Sequence, residues 1–441
     1  MMPFLRRAVL ALPLVLAAVT LAALPARADL AIQEVKSPGG ITAWLVEDHN
    51  IPFVSLEILF KGGTSLDAPG KRGATYLMAA LLEEGTGDLD SQGFAEARDA
   101  LAASFSFSAS TDTLAVSARM LTENRDQAAD LLHRALVAPR FDQAALDRVR
   151  EQVLTGLRSD EKDPGTIAAR SFDRLAFGDH PYATPGEGTL DSVAALSRDD
   201  ILAAHQGAMA LDRIYVSAAG DITAAELSAL LDRLFDGLPA TGAAMPEPAP
   251  WNLSPGVTVE DFPSPQSVVY FGHRGIPRDD PDFFAAYILN EAMGGGRFSA
   301  RLMREVREKR GLTYGIGSYL VPMDHAELYL GQFSASNDKV AEAIGVVRTE
   351  WARVAAEGLS EAELAEIKTY LTGSYPLRFS GNGPIADILV GMQMQDLPID
   401  YAVTRNEKVM AVTMADIRRV AARIFLPDQL QFVVVGQPSG L

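Results

Sequence analysis

The sequence predicts an α+β protein of two homologous domains, each a mixed β-sheet with helices packed on one face, the pair forming a clamshell. Three observations carry this. Residues 238–255 contain five prolines among small residues, which forbids a continuous helix or central strand and marks a linker. The segments on either side, 29–237 and 256–441, repeat one order of strands and helices. Their closing strings also match: Asp212-Arg-Ile-Tyr-Val-Ser-Ala-Ala-Gly-Asp221 parallels Asp428-Gln-Leu-Gln-Phe-Val-Val-Val-Gly-Gln437.

In the first half, apolar residues at strand spacing predict strands at 41–46 and 53–60, then helices over 70–84 and 91–103. Alternating segments at 104–108 and 113–119 read as strands. Helices at 123–136, at 143–158 and after Pro164 lead to a closing strand at 213–219. The second half offers strands at 257–260 and 268–273, a helix over 281–293, and a short helix after the glycine run 294–296. Strands at 312–320 and 327–333, helices at 339–357 and 360–374, and a closing strand at 430–435 complete it. A clamshell places its ligand between the halves.

Residues 1–28 are expected to be removed. Arg6 and Arg7 precede an apolar run, and Ala26-Arg27-Ala28 offers a small-x-small cleavage site, so a secreted, periplasmic protein is expected. With no cysteine in the chain, disulfides and thiolate metal sites are impossible and stability rests on an apolar core. The formal charge is −18, and loss of three arginines with the leader makes it more negative. That disfavours nucleic acid and anionic membrane as partners; an acidic surface suits a basic peptide, and solubility explains it equally well.

The richest stretch is 294–319. Ser299 is an expected N-cap, Leu302, Met303 and Val306 recur as a buried face, and Gly311 stands where a left-handed C-terminal cap belongs. Arg307 in the last helical turns and Tyr314 two residues into the following strand then project from one corner. A cation and a phenol there can hold a peptide carbonyl, or the oxyanion it becomes. On a structural reading, Arg307 offsets the helix dipole and Tyr314 is core.

Little else carries chemistry. The six histidines, at 49, 133, 180, 205, 273 and 325, show neither H-E-x-x-H nor helical His-x-x-x-His spacing, so no metal is expected on this chain. His180, in a Gly-Asp-His-Pro-Tyr loop, reads as structural. No G-x-S-x-G elbow or P-loop occurs, and the glycine run reads as a tight turn rather than a phosphate cradle.

Arg304-Glu-Val-Arg-Glu-Lys-Arg-Gly-Leu-Thr-Tyr314, with Phe177-Gly-Asp-His-Pro-Tyr182 and the turn Pro69-Gly70-Lys71-Arg72-Gly73, resembles the insulinase/pitrilysin-type zinc metallopeptidases. The branch resembled is the bacterial one whose subunits work as pairs, and the likeness spans nearly the whole chain after the leader. In that family the first helix carries H-x-x-E-H, two imidazoles for zinc and a glutamate as general base. Alignment on Gly73 and Gly85-Thr86 puts Tyr76, Ala79 and Ala80 at those places. The distal glutamate ligand falls within Thr155-Gly156-Leu157-Arg158, where there is no carboxylate.

The resemblance also implies what remains. Arg307 and Tyr314 match the pair that binds the substrate carbonyl from the second half, making them the catalytic candidates. The family holds its peptide as an added edge strand, which falls at Ser106, Phe107 and Ser108 here, although this string departs from the family's usual Asn-Ala-x. The expected protein is therefore a non-catalytic subunit. A homologous partner with an intact zinc motif would supply zinc, water and base, and peptide would be the substrate. The alternative is a stand-alone peptide-binding or chaperone-like clamshell that hydrolyses nothing.

Overall fold

The computed structural model describes residues 30–441, so the expected leader, 1–28, lies outside the described residues. Among the described residues, no helix is long and apolar enough to cross a membrane.

The first half holds β1 (Gln33–Lys36), β2 (Thr42–Glu47), β3 (Phe53–Lys61), α1 (Ala74–Leu81), α2 (Ser91–Ala100), β4 (Ser104–Ala109) and β5 (Thr113–Leu121). Then come α3 (Arg125–Val137), α4 (Gln143–Asp160), α5 (Pro164–Phe177), α6 (Leu190–Ala195), α7 (Arg198–Ala208), β6 (Ile214–Gly220) and α8 (Ala224–Phe235). The second half holds β7 (Gly256–Asp261), β8 (Gln266–Arg274), α9 (Phe283–Met293), β9 (Ile316–Pro322), β10 (Glu327–Ser336), α10 (Val340–Glu357) and α11 (Glu361–Ser374). It ends with α12 (Asn382–Met394), α13 (Tyr401–Ala411), α14 (Met414–Ile424) and β11 (Gln431–Gly436).

The repeat is literal at the level of pairing. The first sheet runs β1-β2-β6-β3-β5-β4 and the second β7-β11-β8-β10-β9. Dropping β1, each strand of one sheet has a counterpart at the same place in the other. The single parallel pair recurs as well: Ala43 faces Val216 across β2 and β6, and Val257 faces Phe432 across β7 and β11. Alternation makes these strands: in β5, Leu114, Val116, Ala118 and Met120 are buried while the residues between face outward.

Each half packs its own helices on one face of its sheet. The opposite face is covered by a helix from the other half, an exchange the sequence pattern left unseen. Helix α5 lies across β8 and β11, where Ala168, Phe172 and Ala176 meet Leu330, Val433 and Val435 in a core of their own. Helix α12 lies across β3 and β6. There Ser217 Oγ donates to the Ala386 carbonyl at 2.6 Å and Gln393 Nε2 to the Val216 carbonyl at 2.7 Å. Residues 238–255 contain neither helix nor strand. They are pinned to both halves: Ala243 N–H donates to Gly207, Asn252 N–H to Ala176 and Ala249 N–H to His325.

Three local expectations change. The helix expected over 70–84 begins only at Ala74, because Gly73 is left-handed (φ 95°) and the Asp67 carboxylate accepts from Gly73 N–H and Thr75 N–H, each at 2.8 Å. The strand expected from 312 begins at Ile316, because Thr313 folds the chain into a turn. Its hydroxyl lies 2.8 Å from the Gly315 carbonyl and 2.6 Å from that of Ser334. Ser299 is not an N-cap; the helical segment starts at Arg301 and continues from the Ala300 carbonyl.

Candidate functional site

The segment 301–308 is helical with a widened turn at Met303–Glu308, after which Lys309 N–H reaches the Arg304 carbonyl five residues back at 3.0 Å. Gly311 (φ 60°) ends it in the left-handed conformation expected of the cap, and Leu312 N–H donates to the Val306 carbonyl at 3.0 Å. Val306 and Leu302 fix its inner face in the second core.

The charges of this segment are sorted with one exception. Arg297 pairs with Glu366 at 2.9 Å and Arg301 with Glu363 at 2.8 Å. Buried Glu305 takes Lys309 at 2.8 Å, Arg310 at 3.0 Å and Arg304 at 3.5 Å. Burial pushes the Glu305 carboxyl up, but the hydrogen bonds from Lys309 and Arg310 outweigh it and bring the pKa down to about 2. Among the described residues, Arg307 alone of these basic side chains has no carboxylate partner; its guanidinium sits 5.0 Å from the centre of the exposed Phe298 ring.

Tyr314, on the turn made by Thr313, is 87% exposed. The structural alternative that made it core is thereby excluded. It borders a cleft of about 1060 Å³ that runs along β9 and is walled by α9, α13 and the start of α5. Arg307 does not line that cleft, and no hydrogen bond joins it to Tyr314 among the described residues.

In the first half, Tyr76, Ala79 and Ala80 lie on α1 and the 155–158 segment on α4, and the two helices pack together. The resemblance thus assigns zinc positions to neighbouring helices, but the side chains do not fit the ion: a half-buried phenol and two methyl groups offer no imidazole or carboxylate. Burial, with Glu187 and Asp160 nearby, pushes the Tyr76 phenol upward, away from any role as an anionic ligand. Among the described residues, no group of three or more His, Asp or Glu is placed to hold a metal.

Strand β4, carrying Ser106, Phe107 and Ser108, is an edge strand. It pairs with β5 on one side only and packs beside α1. Ser106 and Ser108 point outward, while Phe107 is partly buried against the first core. His180 is structural, as expected from its loop: Nδ1 accepts from Tyr182 N–H at 3.2 Å and the other ring nitrogen is 3.0 Å from the Glu247 carbonyl.

Sequence reasoning missed the cleft's cations. Arg278, Arg378 and Arg405 line it together with Phe283, Tyr287 and Tyr401. They come from three separated segments with no shared motif, so only folding brings them together.

Two family models match the chain, one described as Insulinase (Peptidase family M16) over residues 42–189 and one as Peptidase M16 inactive domain over 195–371. The chain is 26% identical over 393 residues to a non-peptidase homolog, YmxG, of Helicobacter pylori, covering 88% of this chain and 90% of that protein. It is 25% identical over 404 residues to an uncharacterized zinc protease of Streptomyces coelicolor, covering 88% and 86%. A crystal structure of a peptidase M16 inactive domain from Pseudomonas fluorescens superposes with a TM-score of 0.87 at 27% identity, covering 93% of this chain and 99% of that one. A Helicobacter pylori protease shares the fold, with a TM-score of 0.83 at 17% identity over 92% of this chain and 99% of that one. The chain therefore belongs to the insulinase family, M16.

Proposed function

We propose that this chain is the non-catalytic subunit of a two-chain periplasmic zinc peptidase. A homologous partner with an intact H-x-x-E-H helix brings zinc, water and general base; this chain brings the groups that steady the substrate carbonyl. The observation that carries the reading is the selective freedom of Arg307. Every other cation from 297 to 310 is held by a carboxylate, while Arg307 rests on Phe298, and Tyr314, seven residues on, faces solvent. A guanidinium and a phenol donate two hydrogen bonds to a carbonyl oxygen, and these strengthen as negative charge develops on it. The unpaired edge of β4 offers the backbone of an extended peptide a strand to pair with.

The test is reconstitution. Turnover of a peptide by the mixed pair should fall about 10²–10³-fold with Arg307→Ala, the scale of losing one oxyanion donor. Unchanged turnover would remove the assigned role.

A second reading, a peptide-binding clamshell with no enzymatic partner, is favoured by the same open β4 edge and by the non-peptidase name of the Helicobacter relative. It predicts that Arg307→Ala changes peptide affinity and that no partner confers hydrolysis.

A further inference from the structure

The cleft beside β9 is locally cationic in a chain of net charge −18. Three guanidinium groups line it, those of Arg278, Arg378 and Arg405, and among the described residues none has a carboxylate within ion-pair distance. Arg405 is only 6% exposed. One of its terminal nitrogens donates to the Leu371 carbonyl at 2.9 Å and to Asn406 Oδ1 at 3.0 Å; its other N–H groups have no protein acceptor among the described residues. A buried, always-charged guanidinium without a counter-ion is costly unless something supplies one.

Aromatic rings hold Arg278 and Arg405 in place without neutralising them, while Arg378 lies exposed. Arg405 lies 4.4 Å from the centre of the Tyr375 ring and 5.8 Å from that of Tyr287. Arg278 lies 4.3 Å from Phe283 and 5.4 Å from Tyr401, whose hydroxyl accepts from Arg278 Nη2 at 2.6 Å. Burial and the neighbouring Tyr401 push the Tyr375 phenol up, against the pull of Arg405, Arg378 and Arg278. Two carboxylates line the same cleft: Asp163 caps the start of α5, and the carboxyl of half-buried Glu291 is raised by burial against the opposing pull of Arg297 and Arg405. Neither closes an ion pair with the three arginines.

Residues 316–320 of β9 form one wall, and β9 is the edge of its sheet. The site therefore combines an anion-binding cage with an unpaired strand, which favours a ligand that has both an extended backbone and a carboxylate.

We infer that the Arg278–Arg378–Arg405 cage is a carboxylate-recognition subsite, which receives the C-terminal carboxylate or an acidic side chain of an extended peptide lying along β9. This deepens the peptide-binding part of the proposed function but needs neither zinc, partner nor Arg307. Its failure would leave the reconstitution result untouched.

The test uses the isolated full chain and fluorescence anisotropy of one N-terminally labelled decapeptide. Three forms are compared: free C-terminus, C-terminal amide, and internal Glu with an amidated end. Either carboxylate-bearing form should bind at least about tenfold more tightly than the peptide with none, and salt should weaken it. The stronger of the two identifies the source of the carboxylate. Arg378→Gln, at an exposed position, and Arg278→Gln should each weaken binding about tenfold, with melting temperature tracked to exclude unfolding. Equal binding of the carboxylate-free peptide, or no effect of Arg378→Gln in a folded protein, would overturn the assignment. Displacement by inorganic phosphate at concentrations below the peptide's own dissociation constant would also overturn it, in favour of an inorganic-anion site.

Discussion

Arg307 is conspicuous for what its neighbours do. Glu305 alone absorbs Arg304, Lys309 and Arg310, so the segment's rigidity does not draw on Arg307. Replacing Arg307 with alanine should accordingly change stability by no more than about 0.5 kcal/mol in thermal denaturation, even where turnover collapses. A loss of several degrees would instead mark the contact with Phe298 as structural. Glu57 is the opposite kind of residue. Burial beneath α12 pushes its carboxyl up to about 7, with the Ser117 hydrogen bond pulling down and Asp387 pushing up. The folded state therefore keeps the proton longer than the unfolded chain does. Stability contributed by protonated Glu57 is whole below the unfolded value of 4.5 and is lost as pH rises through about 7. Glu57→Gln should flatten that slope and leave the variant more stable at pH 8 by about 1–2 kcal/mol, discounted for partial exposure. Parallel slopes between pH 5 and 8 in the two proteins would contradict this.

At the level of elements, the two glycines that end and begin helices differ in what surrounds them. A Cβ on Gly311 would meet open space, so Gly311→Ala should cost only the left-handed backbone, about 1 kcal/mol. A Cβ on Gly73 would come within 2.6 Å of the Glu187 carbonyl, so Gly73→Ala should cost at least about 2 kcal/mol by chemical denaturation. Equal losses would refute the packing argument. Much of this level was legible beforehand. The strands at 53–60 and 113–119 stand out because burial follows their alternation, and Gly311 sits where a helix rich in basic residues must stop. The start of β9 was misplaced by four residues because Thr313 and Gly315 trade the strand ladder for a side-chain turn. Propensity cannot weigh that exchange. The same turn is what exposes Tyr314, so the error fell at the candidate site itself. The cationic cage was invisible, since Arg278, Arg378 and Arg405 converge only through the packing of α13 against α9 and α11.

Across the whole molecule, the exchange of α5 and α12 binds the two sheets into one unit, residues 32–441. An amphipathic helix announces that one face will be buried but not against which sheet, so the crossing could not be read from periodicity. It predicts a single unfolding transition for both halves. Phe172, 1% exposed between α5 and the second sheet, should cost about 3–4 kcal/mol when cut to alanine and should lower that one transition. Two resolved transitions would show that the halves are independent. In the proposed division of labour, this chain lends a guanidinium and a phenol to a reaction whose metal it does not hold. The measurement that bears on it is zinc content and peptide hydrolysis of the purified chain, alone and then mixed with an H-x-x-E-H homologue from the same organism. No stoichiometric zinc and no cleavage are expected of the chain alone, with activity on mixing that depends on Arg307. One zinc per chain together with unaided peptide cleavage would contradict it.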